Sequence, residues 1–323
     1  MQKIILIPKP LGKVEEQYDV IIIGAGIAGC TAAIYTTRQA LKTLLMDKVG
    51  VGGNLIITHI IENYPGYPSI SGVELAEKLK TQLEKLDVPI VFEEVRDVNI
   101  TEDGSFQVKT TLEKTYKAKA IIVATGAEHA KLGIPGESEF LGRGVSYCAT
   151  CDGPLFKGKD VAVIGGGNTA ATYVEYLSNI CRKVYWIHRR REFRAEPHLQ
   201  RIALSKENVE KITPYKPIKF EGTEKLEKII LENMEDGKQM ILNVNGVFIA
   251  VGQKPNTEFL KNLPIKLKEN GYIEVDERMR TNIKGICAAG DVNGIENQYI
   301  IAAGQGATAA LTIAKYLKTG EWK

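Results

Sequence analysis

Two cysteines separated by two residues, with an acid directly after them, are the densest chemistry in this 323-residue chain: Cys148-Ala149-Thr150-Cys151-Asp152. The CxxC spacing permits a small, reducible ring, and beside a strand–turn–helix unit it reads as a redox dithiol. The thiolate is the attacking species, so the Asp152 carboxyl is a candidate proton donor or acceptor. The competing chemistry is half of a structural zinc site, which needs two more ligands at short spacing. There is no second CxxC, and His59, His129, His188 and His198 do not stand at ligand spacing from the pair. No metal is expected. Cys30, Cys181 and Cys287 each stand alone and read as small buried apolar residues.

Two glycine-rich turns supply the second kind of chemistry. Gly24-Ala25-Gly26-Ile27-Ala28-Gly29 follows the apolar run Tyr18 to Ile23 and opens a small-residue helical stretch, Cys30 to Ala40. In such a G-x-G-x-x-G turn, Gly24 makes the tight turn, Gly26 lets backbone approach a pyrophosphate, and Gly29 lets helix pack on strand. The helix N-terminus then offers free N–H groups to the phosphates. Asp47, 18 residues beyond Gly29, closes the next apolar run, where a carboxylate can hold ribose hydroxyls. The second turn is Gly165-Gly166-Gly167-Asn168-Thr169-Ala170, after the strand Asp160 to Ile164 and before a helix to about Ile180. This turn reads G-x-G-x-x-A, with Gly165 and Gly167 at its two glycine positions. The following strand, Lys183 to Ile187, runs into His188-Arg189-Arg190-Arg191-Glu192-Phe193-Arg194 in place of a lone carboxylate. A carboxylate there would repel a 2′-phosphate, whereas guanidinium groups clamp it. The expected cofactor of this turn is NADPH over NADH. A solvated basic helix start is the plainer reading of the same charges.

These elements bound the architecture. The two turns lie about 140 residues apart, each with its own opening strand, too far for halves of one sheet. Strands ending in glycine, Ala120 to Gly126 and Gly246 to Gly252, bracket the second unit; a third, Gly285 to Gly290, runs into Asp291. The expected fold is α/β, with two Rossmann-like dinucleotide-binding domains. One is discontinuous (1–126 and 251–323), and the other (127–250) is inserted into it and carries the CxxC. Asn208 to Leu242 alternates short apolar runs with charges and reads as antiparallel hairpins completing the inserted domain. With 44% hydrophobic and 25% charged residues the composition is that of a globular chain. A net charge of +3 is too small to argue for nucleic acid or an anionic membrane surface. No apolar run approaches a membrane span. The stretch Ile4 to Ile7 is cut short by Pro8 and Pro10 and lacks the shape of a signal peptide. A cytoplasmic protein is expected.

Taken together, GAGIAG, Val51-Gly52-Gly53-Asn54, Glu62-Asn63-Tyr64-Pro65-Gly66, ATGA at 124–127, CATCD, GGGNTA, HRRREFR and Gly290-Asp291 resemble the low-molecular-weight thioredoxin reductases, over nearly the whole chain from Tyr18. The resemblance implies FAD in the first domain, at Gly24 to Gly29, at Asp47 through Gly52, Gly53 and Asn54, at Asn63, at Thr125 and Gly126, and from Gly290 and Asp291 through Gln298. It implies NADPH at Gly165 to Ala170, His188, Arg189, Arg190 and Arg194. It further implies an inserted domain that swings between two states, Cys151 toward the flavin, Cys148 attacking the partner's disulfide, and Asp152 as the acid or base. Arg143, Leu155 and Phe156 match the region that docks thioredoxin, and a homodimer is expected. The chain departs from the family pattern at Asn54 (usually Gln), at Asn297-Gln298 (usually Arg-Gln) and at Thr172 and Tyr173 (commonly acidic).

Related enzymes fit less well. A peroxiredoxin-reducing flavoprotein carries an extra N-terminal thioredoxin-like domain, which the 17 residues before Tyr18 are too few to hold. A ferredoxin–NADP reductase would lack CxxC. A glutathione-reductase-like enzyme would place cysteines in Val49 to Leu55, which has none. A ferredoxin-dependent thioredoxin reductase would be expected to lose the arginines. A reductase of another protein or small disulfide, or a non-catalytic redox or nucleotide sensor, is the alternative function. The sensor predicts no NADPH turnover, against which the intact CATCD argues.

Overall fold

The structure, a computed structural model, describes residues 11–58 and 60–322. The Ile4–Ile7 stretch and His59 lie outside the described residues. The first limb of the chain forms β1 (Gln17–Ile23), α1 (Ile27–Arg38), β2 (Thr43–Asp47), α2 (Gly72–Lys85), β3 (Ile90–Phe92), β4 (Val95–Ile100), β5 (Phe106–Thr110), β6 (Thr115–Val123) and β7 (Ala127–His129). The middle forms β8 (Val145–Ser146), α3 (Ala149–Asp152), β9 (Asp160–Ile164), α4 (Asn168–Ser178), β10 (Lys183–Ile187), α5 (Pro197–Leu204), β11 (Val209–Ile212), β12 (Tyr215–Gly222), β13 (Leu226–Asn233), β14 (Gln239–Asn243) and β15 (Gly246–Ile249). The return limb forms β16 (Gln253–Pro255), β17 (Ile286–Ala288) and α6 (Tyr299–Thr319). Short 3₁₀ turns at Gly53–Ile57, Gly153–Phe156, Glu258–Leu260 and Asp291–Asn293 fill the links.

The chain divides into two compact units, one running to Glu128 and resuming at Lys254, the other spanning His129–Gln253. In the first unit the sheet order is β3-β2-β1-β6-β5-β4. β1 pairs in parallel with β2 and β6, and its residues Val20 to Ile23 are buried on both faces, as a strand covered on both sides must be. The far edge of β6 is shared: its first half pairs antiparallel with β5, while Ile121 to Val123 pair in parallel with β17. The return limb therefore re-enters the same sheet. α1 is buried on most sides because its small residues Ala28, Gly29, Ala32 and Ala33 admit neighbours closely. α2 is amphipathic, burying Leu75, Ala76, Leu79 and Leu83, and the Ser71 hydroxyl accepts the Glu74 N–H in an S-x-x-E cap.

In the second unit β11-β10-β9-β15-β8 form a parallel sheet, and β12-β13-β14 form a separate antiparallel one. This corrects the expectation for Asn208 to Leu242. Val209–Ile212 is not part of a hairpin; it pairs in parallel with β10, and only the segments from Tyr215 onward are antiparallel. Its short apolar pattern is shared by both kinds of strand, and pairing partners decide between them. The helical stretch expected over Cys30 to Ala40 starts earlier, at Ile27, because Gly26 already serves as N-cap. Among the described residues no helix is long and apolar enough to cross a membrane.

Candidate active site: two nucleotide cradles and a redox disulfide

The first cradle is built where β1 meets α1. Gly24 sits at φ +105°, and a side chain there would strike the Ala124 carbonyl at 2.3 Å. A Cβ on Gly29 would lie 1.8 Å from the Gly24 carbonyl oxygen, so helix and turn touch only because both are glycine. Gly26 faces open space, with nothing within 4 Å of its added Cβ. The Gly52 N–H donates to the Ala25 carbonyl at 2.8 Å, which pins the second glycine loop against the first. Gly24, Gly26, Asp47, Gly52, Gly53 and Asn54 all line one cavity of about 820 Å³, joined there by Thr125, Gly126, Gly290 and Asp291. An open, backbone-lined cradle of this size fits a dinucleotide.

Distant segments close that cavity. The Thr125 hydroxyl donates to the Asn256 carbonyl at 2.7 Å, and the Asn256 amide returns a bond to the Thr125 carbonyl at 3.0 Å. The Gly290 N–H donates to Gln305 Oε1 at 2.7 Å, and the Asn293 amide shares the same oxygen at 2.8 Å. Asn54 presents its carbonyl to the hydroxyls of Tyr299, at 3.1 Å, and Thr58, at 2.9 Å, and its side chain hydrogen-bonds Asp291. Tyr299 and Gln305 were not legible as site residues. Their helix α6 looks in sequence like any apolar helix.

Three expected positions differ in detail. The Asp47 carboxylate is on the cavity wall, yet in this structure its oxygens accept backbone N–H groups: Ala25 at 2.8 Å, Val49 at 2.8 Å and Gly50 at 3.0 Å. Asn63 and Gln298 are not on the cavity wall; the Asn63 amide donates to Gln298 Oε1 at 3.0 Å. Burial raises the Asp291 carboxyl to about 6, against the bond from Asn54. The sign follows from linkage: the folded chain holds this proton more tightly than the unfolded one, so stability falls as pH rises from about 4 to about 6 and stays reduced above. Asp291→Asn is therefore expected to stabilise the cofactor-free chain at pH 8, by at most about 3 kcal/mol, and to flatten that pH dependence. Thermal unfolding from pH 4 to pH 8 checks it.

The second cradle repeats the design at β9 and α4. Gly165 (φ +150°) lies against the Ala250 carbonyl, 2.2 Å from an added Cβ. Gly167 opens onto free space, and Ala170 is fully buried beneath the turn. Trp186 stacks on Phe193 with centroids 3.7 Å apart and donates its indole N–H to the Gly165 carbonyl at 2.9 Å. Phe193 thus anchors HRRREFR while the arginines point outward. His188 lies over Gly166, 7% exposed, and its Nε2 has no hydrogen-bond partner among the described residues. Burial, reinforced by Arg194, Arg189 and Arg190, holds its pKa below the ordinary value, so the ring is neutral. Arg191 is taken by Glu235, whereas Arg189, Arg190 and Arg194 are exposed and form no ion pair among the described residues. A buried nitrogen without a partner among the described residues, beside three exposed guanidinium groups, suits an anionic, hydrogen-bonding ligand. Glu192 is exposed, 3.9 Å from Lys211. Asn168 pins the following segment, bonding Glu196 through its amide at 3.0 Å and its carbonyl at 2.9 Å, and Thr169 is exposed.

Cys148 and Cys151 are joined as a disulfide with Cα atoms 5.3 Å apart. Cys148 caps the single turn α3, and its Sγ accepts the Cys151 N–H at 3.2 Å. Asp152 accepts the Ser146 hydroxyl at 2.6 Å, and Ser146 in turn accepts the Cys148 N–H at 3.0 Å. Sequence reading missed Ser146, a common residue whose spacing carries no motif. The other cysteines are buried, and burial pushes the Cys181 thiol up to about 11 and those of Cys30 and Cys287 further still. Among the described residues no three His, Cys, Asp or Glu side chains gather as a metal site requires. Of the expected docking residues, Leu155 is exposed, but Phe156 turns inward onto Phe248, edge to face at 5.4 Å. The Arg143 guanidinium donates to the carbonyls of Glu224 and Glu139.

Known proteins share this layout. The family described as pyridine nucleotide-disulphide oxidoreductase matches residues 18–306. A thioredoxin reductase of Listeria innocua serovar 6a is 43% identical over 307 residues, covering 94% of this chain and 95% of that protein. One from Bacillus subtilis is 40% identical, covering 94% and 96%. The crystal structure of thioredoxin reductase from Streptococcus pyogenes superposes with a TM-score of 0.90 at 39% identity, covering 95% of this chain and all of that one. Two glycine cradles, a redox disulfide and these matches lead to one assignment: the chain belongs to the pyridine nucleotide-disulphide oxidoreductase family, among its low-molecular-weight thioredoxin reductases.

Proposed function

We propose that the chain reduces the disulfide of thioredoxin or a thioredoxin-like protein at the expense of NADPH. The observation that carries this is the Cys148–Cys151 disulfide on the unit that also holds the arginine-flanked cradle. FAD would be held by the Gly24–Gly29 turn, Asp47, Gly52, Gly53, Asn54, Thr125, Gly126, Gly290 and Asp291, with Asn63 and Gln298 at its margin. NADPH would be held by Gly165, Gly167, Asn168, Thr169, His188, Arg189, Arg190 and Arg194. When bound, these cofactors supply hydride transfer and storage of the electron pair.

The chain's own residues perform the exchange. Once the pair is reduced, the Cys148 thiolate attacks one sulfur of the partner's disulfide; that bond breaks and a Cys148–partner disulfide forms. The departing partner thiolate takes a proton from Asp152. The Cys151 thiolate then attacks Cys148, re-forms the intramolecular disulfide and releases the second partner sulfur. The Cys151 N–H aimed at Cys148 Sγ favours the thiolate on the attacking sulfur. Leu155 and Arg143 would lie on the docking face, which the inward-turned Phe156 supports from beneath. The enzyme would work as a cytoplasmic homodimer.

The test is NADPH-driven thioredoxin reduction by the purified, yellow protein, whose colour should bleach with NADPH. Absence of both bleaching and turnover would favour a sensor. Arg189→Ala is expected to raise KM for NADPH about a hundredfold while changing KM for NADH less than about twofold, because the lost contact is to the 2′-phosphate alone. Steady-state kinetics with both nucleotides checks it, and equal losses would sink the assignment.

A further inference from the structure

The peptide linking Tyr147 to Cys148 is held at both ends of its dipole. Its carbonyl accepts the Tyr173 hydroxyl at 3.0 Å, and its N–H donates to Ser146 Oγ at 3.0 Å. Ser146 is 4% exposed and has one hydroxyl hydrogen. Its contact to Asp152 Oδ2, 2.6 Å, is much shorter than the 3.3 Å to the Cys148 carbonyl, so the hydrogen goes to the carboxylate. Tyr173 comes from α4, the helix whose N-terminus is the second cradle, and is one of the two positions where this chain departs from an acidic pattern. α3 can lie against α4 because Gly153 has no side chain; a Cβ there would meet the Tyr176 ring at 2.9 Å and Leu177 at 3.0 Å. Among the groups that face Asp152 are the Ser146 hydroxyl from β8, which donates to it, and the Tyr173 phenol from α4, which feels its charge. Burial raises the phenol above its ordinary value against the bond it accepts from the Ala149 N–H, and the Asp152 charge adds to the rise, so the phenol stays protonated and donates.

We propose that Ser146 and Tyr173 are positioning residues for the redox pair: together they clamp the Tyr147–Cys148 peptide, and Ser146 seats the Asp152 carboxylate. The clamp fixes the direction of Cys148 Sγ, and the Ser146 hydroxyl stabilises the ionised form of the acid. An acidic residue at position 173 could not donate to the Tyr147 carbonyl when ionised. The inference rests on the exchange mechanism proposed above, but its decisive measurement does not require turnover.

The experiment compares the holoenzyme with Ser146→Ala, Ser146→Thr and Tyr173→Phe. Carbon-13 NMR titration of the Asp152 carboxyl, assigned by its loss in Asp152→Asn, is expected to show the midpoint about one pH unit higher in Ser146→Ala and restored in Ser146→Thr. In single-turnover reduction of thioredoxin, the limb at which the rate falls with rising pH should move upward by the same amount. Tyr173→Phe should slow that exchange about fivefold and leave the titration in place. An unmoved midpoint in Ser146→Ala overturns the proposal for Ser146, and an unchanged exchange rate in Tyr173→Phe overturns it for Tyr173. If the unsubstituted enzyme reduces no protein disulfide, the proposed function fails while the titration still decides the seating of Asp152.

Discussion

Cys148→Ser is expected to abolish thioredoxin reduction, by at least about a thousandfold, while NADPH still bleaches the protein. The serine hydroxyl stays protonated at neutral pH and cannot form a disulfide with the partner. Cys151 alone has no second sulfur with which to release a mixed disulfide. Nothing in either cradle involves Cys148: the first is built from a turn more than a hundred residues earlier, and the second from Gly165 onward. Nucleotide binding and reduction of the cofactor should therefore survive. Stopped-flow absorbance with NADPH, beside a coupled thioredoxin assay, separates the two steps. Turnover within about tenfold of the unsubstituted protein would remove the pair from the reaction.

Gly29→Val is expected to destabilise the first unit by about 3 kcal/mol or more and to yield protein without bound FAD. The added Cβ would lie 1.8 Å from the Gly24 carbonyl oxygen and 3.3 Å from the Ala124 side chain. Neither can withdraw: Gly24 is in the tight turn, its N–H held by the Met46 carbonyl at 2.7 Å, and Ala124 continues from β6. α1 would have to lift from β1, widening the cradle its N-terminus forms. On its other side α1 meets α6 at Gly306, where a Cβ would lie 2.1 Å from the Ala28 carbonyl oxygen, so the helix has no room to move outward either. Gly26→Ala is the informative contrast, since its Cβ enters open space: folding should hold while FAD affinity falls. Flavin content and thermal unfolding of both variants check this, and a yellow, fully stable Gly29→Val would refute the packing argument.

The contrast between these two glycines shows what was readable. In G-x-G-x-x-G each position has a local geometric duty, so Gly24, Gly26 and Gly29 could be assigned from spacing alone, and the structure gives each the corresponding environment. The strands β1, β2, β9 and β10 were likewise legible, because apolar runs between such turns are buried on both faces. The segment around Val209 was not, because the same short pattern serves a parallel edge and a hairpin and only the partner strand distinguishes them. HRRREFR was read as a basic cluster. Its internal division, with Phe193 buried, Arg191 spent on Glu235 and the other three arginines exposed, depends on where Trp186 and Glu235 arrive.

By itself, then, the order of residues determined the chemistry available to this protein: a reducible sulfur pair beside an acid, and two glycine turns of dinucleotide-binding pattern, one flanked by arginines. Those properties are carried within a few consecutive residues, where covalent spacing sets geometry. Tertiary structure alone decided how Asn54 meets Asp291 and Tyr299, how Gln305 fixes Gly290, and how Ser146 and Tyr173 hold the peptide of Cys148. Most of these contacts join residues far apart in the chain, and the short-range one, Ser146 to Cys148 and Asp152, depends on the turn being folded; each partner is an ordinary residue until sheet pairing and helix packing bring it to its site.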